Sequence, residues 1–152
     1  GVLMHTVFDV ANYILTKCGT MTTMKLQKLV YYCQAWSLAW DDKPLFSEDF
    51  EAWANGPVCK KLYNIHRGKF EIGKDDLKRY VKDMDFTDEE KETMDIVIDD
   101  YADKAPFWLS ELTHSERPWK EARGNTPLGA PCSQIITKES MQNYYNELAA
   151  RQ

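Results

Sequence analysis

The sequence predicts a mainly α fold: a single compact helical domain of about six to seven helices around a buried central helix, with at most a small two- or three-stranded β element. Three observations predict it. Apolar residues recur at helical spacing in several separate stretches. Capping residues and glycine or proline stops bracket those stretches. One stretch, residues 24–40, leaves so little polar face in its second half that it belongs inside the molecule. At 152 residues, 43% hydrophobic and 28% charged, the chain is the size of one domain that buries roughly two thirds of its unfolded surface. No internal repeat or linker divides it, so residues 1–152 read as one unit. Gly1-Val2-Leu3 precede Met4 and read either as a cloning remnant or as an upstream start.

Thr6 caps a first helix with the stripe Val7, Val10, Ala11, Ile14, Leu15 and Cys18, and Gly19 stops it. A second, central helix starts near Thr22 and runs to about Trp40, with Leu26, Leu29, Val30, Cys33, Trp36 and Trp40 in its stripe, before Asp41-Asp42-Lys43-Pro44 ends it. Lys25 and Lys28 flank its start and are expected in solvent. Phe50 to Ala54 forms a short strand at most. Gly56-Pro57 reads as the start of a third helix carrying Val58, Leu62 and Ile65, and Lys69 to Ile72 alternates weakly as a second strand. Thr87 and Glu90 make a capping box for a long helix with Met94, Val97, Ile98, Tyr101 and Ala105 inside and Asp95, Asp99 and Asp103 outside. Pro106 opens a short helix, Ser115 to Trp119 another, residues 124–133 form the longest loop, and Thr137 caps a last helix packed through Met141, Tyr144, Tyr145 and Leu148.

Composition excludes several classes of function. A net charge of −5 opposes nucleic-acid binding, which draws its affinity from Lys and Arg on phosphates. No apolar run reaches the roughly 20 residues a bilayer requires, so no membrane contact is expected. Four cysteines, Cys18, Cys33, Cys59 and Cys132, lie far apart without a C-x-x-C pair. They read as buried free thiols of a cytoplasmic protein. Between Asp83 and Lys104, ten acidic residues face two lysines, Lys91 and Lys104. That ridge is either a solvated helix face or a contact for a basic partner.

A search for chemistry returns little. His5, His66 and His114 share no metal-ligand spacing with one another or with the cysteines, and there is no P-loop, G-x-G-x-x-G or G-x-S-x-G. No metal or cofactor is expected. His114 with Glu116 is the best general-base pair, set against a purely structural reading in which Thr113 or Ser115 caps a helix. Cys33 sits mid-stripe, where a thiolate is costly. The chain is rich in aromatics, with five Trp and eight Tyr. Trp53 on an irregular segment and Trp119 after Pro118 read either as partly exposed interface anchors or as seals at the edge of the core.

The blocks K-L-Q-K-L-V-Y-Y-C-Q-A-W (25–36), P-L-F (44–46), E-A-W-A-N-G-P-V (51–58), L-Y (62–63), L-T-H-S-E-R-P-W (112–119) and Ile135 through Tyr145, in this order, resemble the Panacea domain, the family of SocA-like antitoxins and phage-associated GepA-like proteins. The resemblance implies a mainly helical antitoxin of a bacterial or prophage type II toxin–antitoxin system. Such a protein neutralises a cognate toxin, encoded by the adjacent gene, by direct binding and without catalysis. The alternative is a prophage-associated interaction or adaptor protein that delivers a partner to a cytosolic protease. With hardly any segment outside the blocks, the domain surface is expected to make the contact. The candidate partner-binding residues are Trp53, Asn55 and Pro57, then His114, Glu116 and Trp119, and on the acidic helix Asp95, Asp99 and Asp103.

Overall fold

The computed structural model describes residues 4–151, so the reading of residues 1–3 lies outside the described residues. The elements run α1 (Val7–Cys18), β1 (Met21–Thr22), α2 (Thr23–Trp40), β2 (Phe50–Trp53), β3 (Gly56–Val58), α3 (Lys60–His66), β4 (Glu71–Ile72), α4 (Lys74–Leu77), α5 (Asp88–Tyr101), α6 (Pro106–Ser115), α7 (Arg117–Arg123), β5 (Ile135–Ile136) and α8 (Lys138–Ala150). Eight helices among the described residues exceed the predicted six to seven because the single turn α4 and the separate α7 each count as one. No helix of these is long and apolar enough to cross a membrane.

α2 is the axis. α8, α5, α1 and α6 all pack on it, and thirteen of its eighteen residues, from Leu26 to Leu38 without a break, are buried. Its apolar and aromatic side chains serve several neighbours at once: Tyr32 stacks on Tyr101 of α5 with centroids 4.2 Å apart, and Tyr31 meets Phe50 of β2 and Tyr145 of α8 edge to face. The caps fall where the sequence puts them. Thr6 accepts from the Asp9 amide and Asp9 returns the bond, Thr22 accepts from Lys25, Thr87 and Glu90 form a reciprocal box, and Thr137 accepts from Ser140. Asp9 also accepts from the amides of Lys82 and Asp83, which fastens the irregular segment before α5 onto α1.

Two small antiparallel sheets complete the molecule. β1 pairs with β4 through Met21↔Ile72, and the second sheet has the order β3-β2-β5, with Ala52↔Pro57 and Phe50↔Ile136. β2 and β3 form a hairpin turned by Ala54-Asn55, and Gly56 at φ +120° adopts a backbone that side-chain-bearing residues rarely take.

Several expectations need correction. Gly56-Pro57 starts no helix: it lies in β3, an edge strand where proline's missing N–H breaks no ladder bond. α3 begins later, at Lys60, and its leading amide at Cys59 is held by Gln27 instead of a local cap. α5 ends at Tyr101, so Ala105 is no inner-face residue but the exposed residue before α6. Trp40 stands at the exposed end of α2, stacked on the buried Trp36 with centroids 4.6 Å apart. All four cysteines are free, but Cys18 is exposed and Cys132 only partly covered; Cys33 and Cys59 are buried as expected.

Candidate functional site

The hairpin and α2 together build a cleft. On the first half of α2, Gln27 and Lys28 turn toward β3 and α3. The Gln27 side-chain oxygen accepts from the Cys59 amide at 2.8 Å, and its nitrogen donates to the Cys59 carbonyl at 3.2 Å and to His66 Nε2 at 2.9 Å. One buried amide thus fixes the start and the end of α3. Burial also pushes His66 below the ordinary histidine range, consistent with a neutral ring that accepts at Nε2. Lys28 is 1% exposed, the opposite of the solvated position expected for it. Its Nζ donates to the Pro57 carbonyl at 3.3 Å, and among the described residues it forms no ion pair. Burial without a counter-charge pushes its ammonium down to about 7.

Above Lys28 opens a cavity of about 670 Å³, walled by Met24 of α2, Trp53 and Val58 of the hairpin, Tyr63 of α3 and the Gly129–Ser133 part of the long loop. Trp53 meets Tyr63 edge-on at 4.7 Å between centroids, carries the Lys60 ammonium 5.8 Å above its ring and donates from Nε1 to Glu51 at 2.9 Å. Arg123 ties the long loop down, donating to the carbonyls of Ala52, Pro127 and Ala130. Gly56 is constrained by packing as well as by its φ. A Cβ there would lie 2.5 Å from Lys28 Cε and 2.8 Å from the Thr113 hydroxyl.

The structure disperses the predicted site residues. Trp53 ends β2 and lines the cleft, half-buried, while Asn55 is exposed at the turn and its carbonyl accepts from Ser110 of α6. Pro57 is buried and cannot touch a partner. Trp119 is 3% exposed: it stacks on His114 with centroids 4.0 Å apart and donates to the Trp53 carbonyl at 2.9 Å, so it locks the hairpin and is no surface anchor. Glu116 is 4% exposed and points away from His114 into α2 and α8, accepting from the hydroxyls of Tyr32 at 2.7 Å and Tyr145 at 2.8 Å. Burial raises its carboxyl above the ordinary range while the two tyrosine bonds pull it down. The His114–Glu116 general-base pair therefore does not form. Burial holds His114 below its ordinary range too, with Glu111 4.0 Å from Nδ1. Of the acidic trio, Asp99 and Asp103 are exposed, but Asp95 is half-buried and accepts from the Tyr13 hydroxyl at 2.7 Å, tying α5 to α1.

Besides Phe70 and Trp40, the exposed aromatics are two chain neighbours at the corner between α5 and α6. Phe107 is 72% and Trp108 47% exposed. Lys104 sits 5.4 Å over the Trp108 ring and pairs with Asp103 at 3.7 Å, which joins the rings to the acidic end of α5. Two signals in the sequence mark these misses. The buried side of α6 is Leu109, Ser110 and Thr113, which leaves 107 and 108 off that face at helical spacing. Lys28 has only Met24, Lys25, Tyr31 and Tyr32 at three and four residues' distance, so no acid is placed to hold it at the surface.

No curated protein and no solved structure compared with the chain gives a match. Among protein families, residues 26–120 match the antitoxin SocA-like Panacea domain. That span runs from α2 through the cleft and the α5–α6 corner into α7, and it covers more than half of the sequence. The chain belongs to the SocA-like antitoxin, Panacea-domain family.

Proposed function

We propose that this protein is the antitoxin of a type II toxin–antitoxin pair, acting in the cytoplasm by binding a cognate protein toxin directly and catalysing nothing. Membership of the SocA-like antitoxin family over residues 26–120 carries the reading. The domain's surface supports it with a place for the contact. Phe107 and Trp108 are exposed, and Lys104 links Trp108 to Asp103 at the acidic end of α5, an apolar anchor with a charged surround of the kind from which protein interfaces draw most of their energy. The carboxylates favour a toxin with a basic surface and speed its approach. Glu116 and Trp119, by contrast, serve this function only through the fold they hold.

The test is genetic. Expressing the small neighbouring reading frame alone should arrest growth, and co-expressing this chain should restore growth and yield a complex that purifies as one species. A harmless neighbour, or toxicity that persists without a complex, overturns the proposal. A gene neighbourhood without any such frame favours the adaptor reading instead.

A further inference from the structure

We propose that the cleft over α2, the β2–β3 hairpin and α3 is a binding site for a carboxylate carried on an apolar body, and that Lys28 at its floor receives the charge.

A lysine ammonium offers three donors. Lys28 has one acceptor, the Pro57 carbonyl at 3.3 Å, and no carboxylate within 4 Å among the described residues. Its neighbours are better served: Gln27 makes three hydrogen bonds and Thr113 donates to the Ser110 carbonyl at 2.7 Å. A buried charge without a counter-charge is costly. A tie to one carbonyl alone is within the reach of a neutral amide side chain, so the ammonium is retained for something the protein itself does not supply. The end of the Lys28 stem lies against Gly56, where a Cβ would come 2.5 Å from Cε, and Lys28 is one of the residues that line the cleft.

The walls select the class of ligand. Met24, Trp53, Val58, Tyr63 and Pro131 are apolar or aromatic and suit a hydrophobic body. The lysine, histidine and carboxylate side chains of the lining are Lys28, Lys60, His66 and Glu51. Glu51 offsets one of the two lysines and burial pushes His66 below the ordinary histidine range, so with both lysines protonated the lining is net positive in a chain of net charge −5. It thereby favours an anion although the chain as a whole is acidic. No arginine lines it. A single lysine suits one carboxylate as a point charge, whereas phosphate recognition calls for several converging donors.

Protonation is linked to binding. Burial pushes Lys28 down to about 7, and a bound carboxylate raises that value, so Lys28 takes up a proton as the ionised ligand binds above neutral pH. Affinity then falls about tenfold for each pH unit above the free value, until the bound value is reached.

The experiment is isothermal titration of the full chain with five probes: 3-phenylpropionate, N-acetyl-leucyl-phenylalanine, the amide of each as a control, and inorganic phosphate. At about pH 6.5 at least one acid binds while the amides and phosphate do not, and its affinity drops roughly tenfold or more by about pH 8.5. Binding of the peptide acid alone assigns the carboxylate to a polypeptide terminus, and binding of 3-phenylpropionate alone assigns it to a small free acid. Lys28→Met should abolish binding with an unchanged circular dichroism spectrum. As a second measurement, independent of whether that variant folds, the ¹³Cε resonance of Lys28 in the unaltered chain should titrate near neutrality and move to higher pH with the acid present. Equal binding of acid and amide, no binding of either acid at millimolar concentration, or a Lys28 midpoint that the acid leaves unmoved overturns the proposal. None of these outcomes depends on a toxin, so this site and the antitoxin reading stand or fall separately.

Discussion

At the cleft a cation is buried among apolar walls, whereas at the α5–α6 corner two aromatic rings stand in solvent among carboxylates. Each departs from the ordinary division of polar outside and apolar inside, in opposite directions. Scattered exposed hydrophobics are normal, and so are surface lysines. A paired aromatic patch and a lone buried ammonium are not, because each carries a free-energy cost that a binding partner relieves. The difference also separates the kinds of partner: the corner offers area, apolar anchors and negative charge, which suit a basic protein surface, while the cleft offers a small volume and positive charge, which suit a single acidic group.

The largest effect is expected within residues 112–119, if that block serves the fold and not the surface. Glu116→Ala should cost about 3 kcal/mol or more of unfolding free energy, since two buried tyrosine hydroxyls lose their acceptor and a void remains. Glu116→Gln keeps an acceptor oxygen and should cost about 1 kcal/mol. Chemical denaturation decides, and a silent Glu116→Ala would return that residue to the list of contact residues. Gly56→Ala comes next, at about 2–3 kcal/mol, from a φ of +120° and a Cβ driven against Lys28 and Thr113.

Lys28→Met sharpens the cleft side through pH. The folded value of about 7 lies below the ordinary lysine value in the unfolded chain. The unfolded state therefore holds the extra proton above pH 7, and the contribution of Lys28 to stability rises with pH by about 1.4 kcal/mol per unit. Below about 7 the fold carries the full cost of a buried charge. Buried thiols and tyrosines, Cys33 and Tyr31 among them, are raised by burial and tilt stability the other way at higher pH, from about 8.5 upward for the thiols. The difference between wild type and Lys28→Met isolates the lysine: wild type should gain about 2 kcal/mol on the variant between about pH 7 and about pH 8.5. A flat difference across that window would mean that Lys28 keeps its ordinary value and that the cleft is wetter than its packing indicates.

The smallest effects divide the acidic helix. Asp95→Lys should cost about 1 kcal/mol of stability, because the Tyr13 hydroxyl loses its acceptor and Lys17 gains a like charge in place of Asp95, 3.9 Å away. Asp99→Lys with Asp103→Lys should change stability by less than about 0.5 kcal/mol. The same pair should slow toxin association several-fold at low salt and little at high salt, read by stopped-flow mixing.

Much of the fold was legible because its signals are local. Thr6, Thr22, Thr87 and Thr137 each declare a helix start by a short-range bond, and the stripes at Val7–Leu15 and Leu26–Trp36 declare what those helices bury. The sites were less legible because they depend on distant pairs. Whether Glu116 meets His114 or the tyrosines at 32 and 145 is settled by how α6 and α7 pack against α2 and α8, which no spacing within residues 112–119 encodes. Gly56-Pro57 fits a helix start and an edge strand equally well by backbone preference, and the pairing of Ala52 with Pro57 decides. Lys28 was misread by the usual rule for lysine, although the aromatic neighbours one turn away on α2 already contradicted it.

The most direct measurement is an isothermal titration of the purified neighbouring-gene product with the wild-type chain and with the Phe107→Ala, Trp108→Ala double variant. The account predicts saturable binding to wild type and a loss of about 2–4 kcal/mol, roughly 30- to 1,000-fold in Kd, for the double variant, with its unfolding midpoint unchanged. No heat of binding to the wild type, or equal affinity for the double variant, would contradict it.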